Sequence, residues 1–293
     1  MRKIAVVIPT IPQRKEIFDL FLEKWGPLFE KHEVAFVKVL DGENPTVQLG
    51  QGPILSTKDV MGKYDSCLSN FNAGIRNLGF AAVAKYGPDI EYIITLDDDV
   101  LPIGDPIQDH IDALDSRVPV SWISTASEPM RGFPYAVREE AEVVVSHGVW
   151  EGVADWDAPT QLVKGSYRPV EFYKGPIPKG IYYPMCSMNL AFKRKMLPFI
   201  YHAPWALGIH RFDDIFAGIE SKREIDKRGW AAVTGYARGH HERASNTFKN
   251  LENEAPGLTL NETFWQGDES HPYFKIYREK YATWQEFIEK CQI

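Results

Sequence analysis

Cysteine is scarce in this chain: Cys67, Cys186 and Cys291 are the only three in 293 residues, they lie far apart, and no two form a Cys-x-x-Cys pair. An odd count at such spacing argues against a disulfide framework or a zinc knuckle and points to a reducing compartment. Long apolar runs are missing too. Nothing approaches the ~20 apolar residues that span a bilayer. Arg2 and Lys3 do precede Ile4-Ala5-Val6-Val7-Ile8, but Pro9 and Pro12 interrupt that run before it reaches the length of a signal-peptide core. A soluble, cytoplasmic protein without a transmembrane segment is expected. Basic charge is in deficit, with 33 Lys and Arg against 40 Asp and Glu and a net charge of −7. That balance argues against a general nucleic-acid binder, whose phosphate contacts need a basic face, so any phosphate site must be local and metal-assisted. No Gly-x-Gly-x-x-Gly follows the first apolar run and no Gly-x-x-x-x-Gly-Lys-[Ser/Thr] occurs anywhere, which disfavours dinucleotide and P-loop chemistry.

What is present is the material of a globular α/β protein, 44% hydrophobic and 25% charged. Its organising stretch is Tyr92-Ile93-Ile94-Thr95-Leu96-Asp97-Asp98-Asp99-Val100-Leu101-Pro102, a buried-strand pattern that ends in three consecutive carboxylates. Adjacent carboxylates at a strand end repel one another and lose hydration, so they need a cation or a set of donors to offset them. Either the triplet is a solvated acidic turn, or it holds hard Mg²⁺ or Mn²⁺, which commonly shares its remaining positions with substrate phosphates.

The β-branched run Ile4 to Ile8 reads as a strand covered on both faces, ending at the turn-rich Pro9-Thr10-Ile11-Pro12-Gln13-Arg14. Open α/β sheets bind ligands at such carboxyl ends, which makes Pro9, Thr10 and Arg14 candidate ligand contacts. Ile17, Phe18, Leu20, Phe21, Leu22, Trp25 and Leu28 then recur at helical spacing and predict a core-facing helix. A second strand, Val34 to Leu40, stops at Asp41-Gly42, where Asp41 is either a turn residue or an acceptor for the imide of a uracil ring. Asn44 to Asp59, rich in Gly, Pro and Thr, predicts a mobile loop. A helix is expected from Leu68 to about Lys85 with Asn72 and Arg76 on one face, pointing into a cleft or to solvent, before the third strand, Ile90 to Leu96. This β–α–β order with carboxylates at strand ends fits a GT-A-like nucleotide-sugar-binding fold with a mostly parallel central sheet, in which an Asp-x-Asp-type motif holds a cation on a diphosphate. From Glu252 on, Tyr273, Phe274, Ile276, Tyr277, Tyr281, Trp284, Phe287 and Ile288 predict an amphipathic helix. The expected layout is a catalytic domain over residues 1–251 with a C-terminal helical extension, 252–293, packed on it.

Beyond the aspartates come Met130-Arg131-Gly132-Phe133-Pro134-Tyr135-Ala136-Val137-Arg138, Val145-Ser146-His147-Gly148-Val149-Trp150, Asp155-Trp156-Asp157, Tyr183-Pro184-Met185-Cys186-Ser187-Met188-Asn189-Leu190, Arg211-Phe212-Asp213-Asp214 and His241-Glu242-Arg243-Ala244-Ser245-Asn246. In this order they resemble the reversibly glycosylated polypeptide and UDP-arabinopyranose mutase family, glycosyltransferase family 75, over most of residues 4 to 266. The resemblance implies a GT-A-like fold, Mn²⁺ or Mg²⁺, a UDP-sugar ligand and an arginine that is reversibly glycosylated. Arg131 falls on the position expected to carry the sugar and Arg138 on the second arginine of the same motif. Phe133 and Tyr135 exchange the family's aromatic types.

Within that frame Asp97 is assigned to the ribose or a metal-bound water, and Asp98 and Asp99 to the metal. His241, matching the family's His-x-x-Ala-Ser-Asn, is the third ligand, with His240 beside it as the alternative. Arg243 and Lys249 are candidate diphosphate contacts or surface ion-pair residues. Asp213 and Asp214 would act as a base, bind acceptor hydroxyls or cap the following helix. Asp155, Trp156 and Asp157 suit a sugar platform, because an aromatic face stacks on pyranose C–H surfaces while carboxylates bind hydroxyls. Arginine is a poor nucleophile, so Arg131 is expected to accept a glycosyl group only when buried beside a carboxylate. The activity expected is a UDP-sugar mutase or a self-glycosylating transferase; a conventional transferase and a non-catalytic nucleotide-sugar-binding subunit are the alternatives. An oligomer of like or unlike subunits is left open.

Overall fold

A computed structural model describes residues 3–124, 128–168, 172–242 and 245–291. The chain runs β1 (Ile4–Thr10), α1 (Lys15–Lys31), β2 (Ala35–Leu40), β3 (Thr46–Leu49), β4 (Ile54–Ser56), α2 (Thr57–Met61), α3 (Arg76–Tyr86), β5 (Tyr92–Leu96), β6 (Val100–Ile103), α4 (Pro106–Leu114) and β7 (Arg117–Val118). It continues with β8 (Ala141–Val153), α5 (Ala158–Lys164), β9 (Tyr167–Arg168), β10 (Gly175–Ile177), β11 (Asn189–Lys193), α6 (Asp213–Arg228), β12 (Ala231–His241), α7 (Thr247–Phe264) and α8 (Pro272–Cys291). The main sheet runs β10-β12-β8-β11-β5-β1-β2-β3-β4. Its centre is parallel where β1 lies between β2 and β5, and β8 and β12 are also parallel, while β11 is antiparallel to both β5 and β8. Parallel strands require helical crossovers, which α1 and α3 supply.

Both faces of β1 are covered, as its unbroken β-branched run predicts. Ile4, Val6 and Ile8 point into one apolar cluster with Phe18, Phe21 and Trp25 of α1, and Ala5 and Val7 point into a second with α3, α6 and α8. This is the period-two alternation of a strand sandwiched between helical layers. Helix α3 sinks so far into the second cluster that all of Arg76 to Ala84 is buried. Gly79 is required there, since a Cβ would come within 2.9 Å of Val39 Cγ2 and closer still to Val7. Helix α8 buries Tyr273, Phe274, Tyr277, Tyr281, Trp284, Phe287 and Ile288 in the same cluster. Its Trp284 Nε1 donates to the Leu197 carbonyl at 2.9 Å. Helix α7 runs without a break through residues 251 and 252. Among the described residues no helix is long and apolar enough to cross a membrane.

Two local expectations fail. Asn44 to Asp59 is not an irregular loop but the hairpin β3–β4 followed by α2, with the turn made at Gly50, whose φ is +56°, and Gly52. Its glycines mark a turn between two strands. The helix expected from Leu68 begins only at a 3₁₀ turn, Ala73–Ile75, and continues as α3 from Arg76. Phe71 adopts a left-handed φ of +59°, and the Asn72 side chain caps the Gly74 N–H at 2.8 Å. Asn72 is therefore a cap outside the helix and Arg76 a buried residue of its first turn, so the two do not share one helical face.

Candidate active site

Strand β5, every residue of which is buried, delivers the aspartate triplet to the carboxyl edge of the sheet, and Val100 N–H closes the turn on the Asp97 carbonyl at 3.2 Å. Each carboxylate then meets a different partner. Asp97 pairs with Arg76, which is 3% exposed and also donates through Nε to Thr95 Oγ1 at 3.0 Å. Asp98, 1% exposed, accepts from Thr10 Oγ1 at 2.7 Å and from Arg14 at 2.9 Å. Burial still pushes its carboxyl above the ordinary value, against the pull of Thr10 and Arg14. Asp99 takes the other arm of the Arg14 fork at 2.5 Å, and its Oδ1 lies 3.9 Å from His241 Nε2. Two guanidiniums thus offset a triplet of charges, and the charge left over sits where Asp99 faces His241.

That pairing bears on metal binding. His241 is on β12, and its Nδ1 lies 3.2 Å from the Val153 carbonyl, an acceptor only, so Nδ1 carries the proton. Nε2 is then left facing the Asp99 carboxylate at a distance too long for a hydrogen bond, with room for a cation between the two donors. A metal held by one carboxylate oxygen and one imidazole nitrogen at about 2.1 Å each separates its donors by roughly 3–4 Å, so Asp99 and His241 fit a divalent cation. Among the described residues no group of three or more His, Cys, Asp or Glu side chains is placed to hold a metal, because Asp98 turns inward to Thr10 and Arg14. His240, the alternative ligand, points elsewhere, 3.5 Å from Glu242.

Next to this turn opens a cleft of about 430 Å³. Asp97 lies on its wall, with Asp155, Trp156 and Asp157 from the segment before α5, Arg211, Asp213 and Asp214 from the start of α6, and Glu254 from α7. The Asp155-Trp156-Asp157 and Asp213-Asp214 motifs, about 57 residues apart in sequence, are thus brought together. Asp157 also caps α5, accepting from Thr160 N–H at 2.9 Å. Asp213 does not cap α6; its Oδ2 accepts from Gly74 N–H at 3.1 Å across the cleft floor. Burial, and then the neighbouring Asp214, raise its carboxyl to about 6. Asp155 faces the cleft but is hemmed in by protein, and desolvation followed by Asp214 raises its carboxyl too. Behind this wall Cys186 Sγ lies 3.7 Å from His147 Nε2. Burial drives the thiol well up and the imidazole down to about 4, so the pair is neutral and is not a thiolate nucleophile.

The raised Asp213 has a consequence for stability. Its folded-state pKa exceeds the unfolded 3.8, so the protonated acid favours the folded chain; that contribution is full below pH 4 and is lost as pH rises to about 6. Asp213→Asn, which keeps the acceptor for Gly74, is therefore expected to stabilise the fold above pH 6 by on the order of 2 kcal/mol, seen as a higher melting temperature, and to leave it unchanged near pH 4. Melting curves for variant and wild type that stay parallel across this range would contradict the assignment.

Other predicted residues lie apart from the cleft. Arg131 is exposed and is not part of its lining, so the buried, carboxylate-flanked setting expected for it is not found. Arg138 closes its own loop, donating to the Phe133 carbonyl at 2.7 Å and stacking over Tyr135 at 3.9 Å. Lys249 is exposed in the first turn of α7, and Arg243 falls outside the described residues. Pro9 is half-buried in β1. Asp41 is buried at the end of β2, where Oδ1 accepts from Gly42 N–H at 2.8 Å and Phe71 N–H at 3.0 Å.

Sequence reading missed Glu254, Arg211 and Trp205 as cleft residues. Glu254 joins two walls, accepting from Ala158 N–H at 2.7 Å and from Arg211 Nε at 3.0 Å. A signal was available in α7, where Asn250, Glu254 and Asn261 follow its inward-facing stripe.

Residues 1–275 match the family model for reversibly glycosylated polypeptide. The chain belongs to that family. Among relatives in it, UDP-arabinopyranose mutase 3 of Arabidopsis thaliana is 33% identical, over 93% of this chain and 78% of that protein. UDP-arabinopyranose mutase 1 of Oryza sativa subsp. japonica is 32% identical, over 91% and 76% respectively. In three dimensions the chain is similar to mannosyl-3-phosphoglycerate synthase from Rubrobacter xylanophilus, with a TM-score of 0.50 at 12% identity, over 92% of this chain and 77% of that one. The family member described here therefore has the GT-A-like α/β fold expected from its strand-end carboxylates.

Proposed function

We propose that this protein is a UDP-sugar mutase that interconverts the pyranose and furanose forms of UDP-arabinose, with Arg131 as a reversible glycosyl acceptor. The observation that carries the reading is the carboxylate-lined cleft running from the Asp97–Asp99 turn to Asp213 and Asp214. The names of the relatives support the same reaction class. Asp99 and His241 would hold Mn²⁺ or Mg²⁺, which when bound supplies positive charge to the diphosphate. Arg14, forked onto Asp98 and Asp99, keeps that edge rigid.

The reaction is an isomerisation with no net gain or loss of atoms. The bond from C1 to the diphosphate oxygen breaks as C1 passes to an Arg131 guanidinium nitrogen, whose proton passes to a carboxylate of the cleft and is returned in the reverse step. The sugar ring then opens and closes through a different hydroxyl, and the diphosphate oxygen retakes C1 as the nitrogen regains its proton. Ring opening and closure move a proton between two hydroxyl oxygens. A carboxyl such as Asp213, whose pKa of about 6 lies near neutrality, is suited to accept and return it. Trp156 and Trp205 line the cleft, where an aromatic ring suits the C–H surface of a sugar. Because Arg131 is exposed in the free chain, the transfer step needs its loop to close over the cleft, or the acceptor to come from a second subunit.

The test is incubation with UDP-arabinopyranose and Mn²⁺, reading the ring form of the product and the sugar bound to protein. Wild type is expected to form the furanose, and Arg131→Ala to lose protein-bound sugar. An Arg131→Ala variant that labels as well as wild type would remove Arg131 from the mechanism. Absence of ring interconversion by the wild type would remove the mutase reading.

A further inference from the structure

Phe71 is out of place by every local rule. It is 59% exposed, and no aromatic ring packs against it among the described residues. Its φ of +59° is a left-handed conformation that a bulky L-residue adopts only at an energetic cost. Glycine would adopt it freely, so the strain is tolerated because the surroundings impose it. Phe71 N–H donates to Asp41 Oδ1 at 3.0 Å, the Asn70 side chain reaches the Gly42 carbonyl at 3.0 Å, and Asn72 caps the turn that follows. Asp41 N–H in turn donates to the Thr10 carbonyl at 2.9 Å, and Thr10 Oγ1 to Asp98 at 2.7 Å. An unbroken relay of hydrogen bonds therefore links Phe71 to the aspartate turn through the carboxyl ends of β2, β1 and β5, the edge at which open α/β sheets take their ligands. Two residues later, Ala73 is part of the cleft wall.

Resting on the UDP-sugar reading above, we propose that Phe71 is the stacking platform for the uracil ring, and that Asp41, through Oδ1, serves to aim it. The division of labour follows from chemistry. The cleft beyond Asp97 is lined with carboxylates and tryptophans, groups suited to hydroxyls and sugar C–H faces. Phe71 has no polar atom and offers only a flat π-surface, which suits a planar heterocycle. Asp41 has its Oδ1 taken by two backbone donors, so its carboxylate fixes the turn. A backbone already pinned in place by Asp41 has less freedom left to lose when the ring stacks, which is the value of pre-organisation.

The experiment is calorimetric titration of wild type, Phe71→Gly and Phe71→Tyr with UMP, UDP and pyrophosphate in Mn²⁺. Glycine accepts the left-handed backbone, so Phe71→Gly should melt at or above the wild-type temperature while losing its ring. Its affinity for UMP and for UDP is expected to fall by about tenfold to a hundredfold, with pyrophosphate binding unchanged, and Phe71→Tyr should stay within about threefold of wild type, since a Tyr ring stacks equally well. Full-strength UDP binding by Phe71→Gly would overturn the proposal, as would an equal loss for pyrophosphate, which would place the effect in the fold. If wild type binds no UDP in Mn²⁺, the UDP-sugar reading itself fails and this inference falls with it.

Discussion

His241→Ala is expected to abolish Mn²⁺-dependent tightening of UDP, lowering affinity in Mn²⁺ by on the order of a hundredfold or more, because the metal contributes several kcal/mol to an anionic ligand. The warrant is the arrangement of charges. Thr10, Arg14 and Arg76 already satisfy Asp97 and Asp98, leaving the Asp99 oxygen that faces His241 Nε2 at 3.9 Å to attract a cation. Asp99→Asn should behave like His241→Ala. His240→Ala should bind as wild type, since that ring turns toward Glu242. Titration of Mn²⁺ alone into the free protein supplies a readout independent of turnover. If His241→Ala binds Mn²⁺ and UDP like wild type, the cation is held elsewhere and the assignment of Asp99 and His241 is wrong.

The second large effect is expected far from any reacting atom. Gly218 sits in α6 against the backbone of Met185, and a Cβ there would lie 2.7 Å from the Met185 carbonyl carbon and nearer still to its N and O. Gly→Ala in a helix interior normally gains about 1 kcal/mol in propensity. Here the clash is with main chain, which cannot rotate away, and overpacking of this kind costs about 1–3 kcal/mol and occasionally more. The steric term wins, so Gly218→Ala should lower stability by about 2 kcal/mol or more in denaturant titrations. The damage should extend to ligand binding, because α6 begins with Asp213 and Asp214 while Met185 leads into Cys186-Ser187-Met188 on the opposing wall. A Gly218→Ala variant as stable as wild type would mean the two segments can move apart freely.

How much of this was readable in advance depended on whether the signal was local. The buried strands β1 and β5 announce themselves as unbroken β-branched runs, and α8 by its aromatic residues at helical spacing, because both patterns follow directly from which faces must avoid water. The aspartates at the tip of β5 were legible for the same reason. Their division of labour was not, since nothing in three identical residues says that one meets Arg76, one Thr10 and one His241. For Arg76 the sequence left cleft and solvent both open, because a buried, paired arginine and an exposed one have the same spacing. The late start of α3 escaped because it depends on Phe71, a residue type that carries no turn signal, being pulled into a left-handed conformation by Asp41. The cleft was half legible. Asp155-Trp156-Asp157 and Asp213-Asp214 stood out as motifs, whereas Glu254 and Trp205 became cleft residues only through tertiary packing.

Glu254 gives the α5–α7 end of the cleft a mechanical identity of its own. With one oxygen on the first amide of α5 and the other on Arg211, whose own backbone is left-handed at φ +59°, it clasps three chain segments into a single jaw. Substitutions along α7 can therefore reshape this end of the cleft while the aspartate edge, tied together separately through Thr10, Arg14 and Asp98, stays put. Relatives that share one nucleotide but differ in the sugar they accept would be expected to diverge first at this clasp.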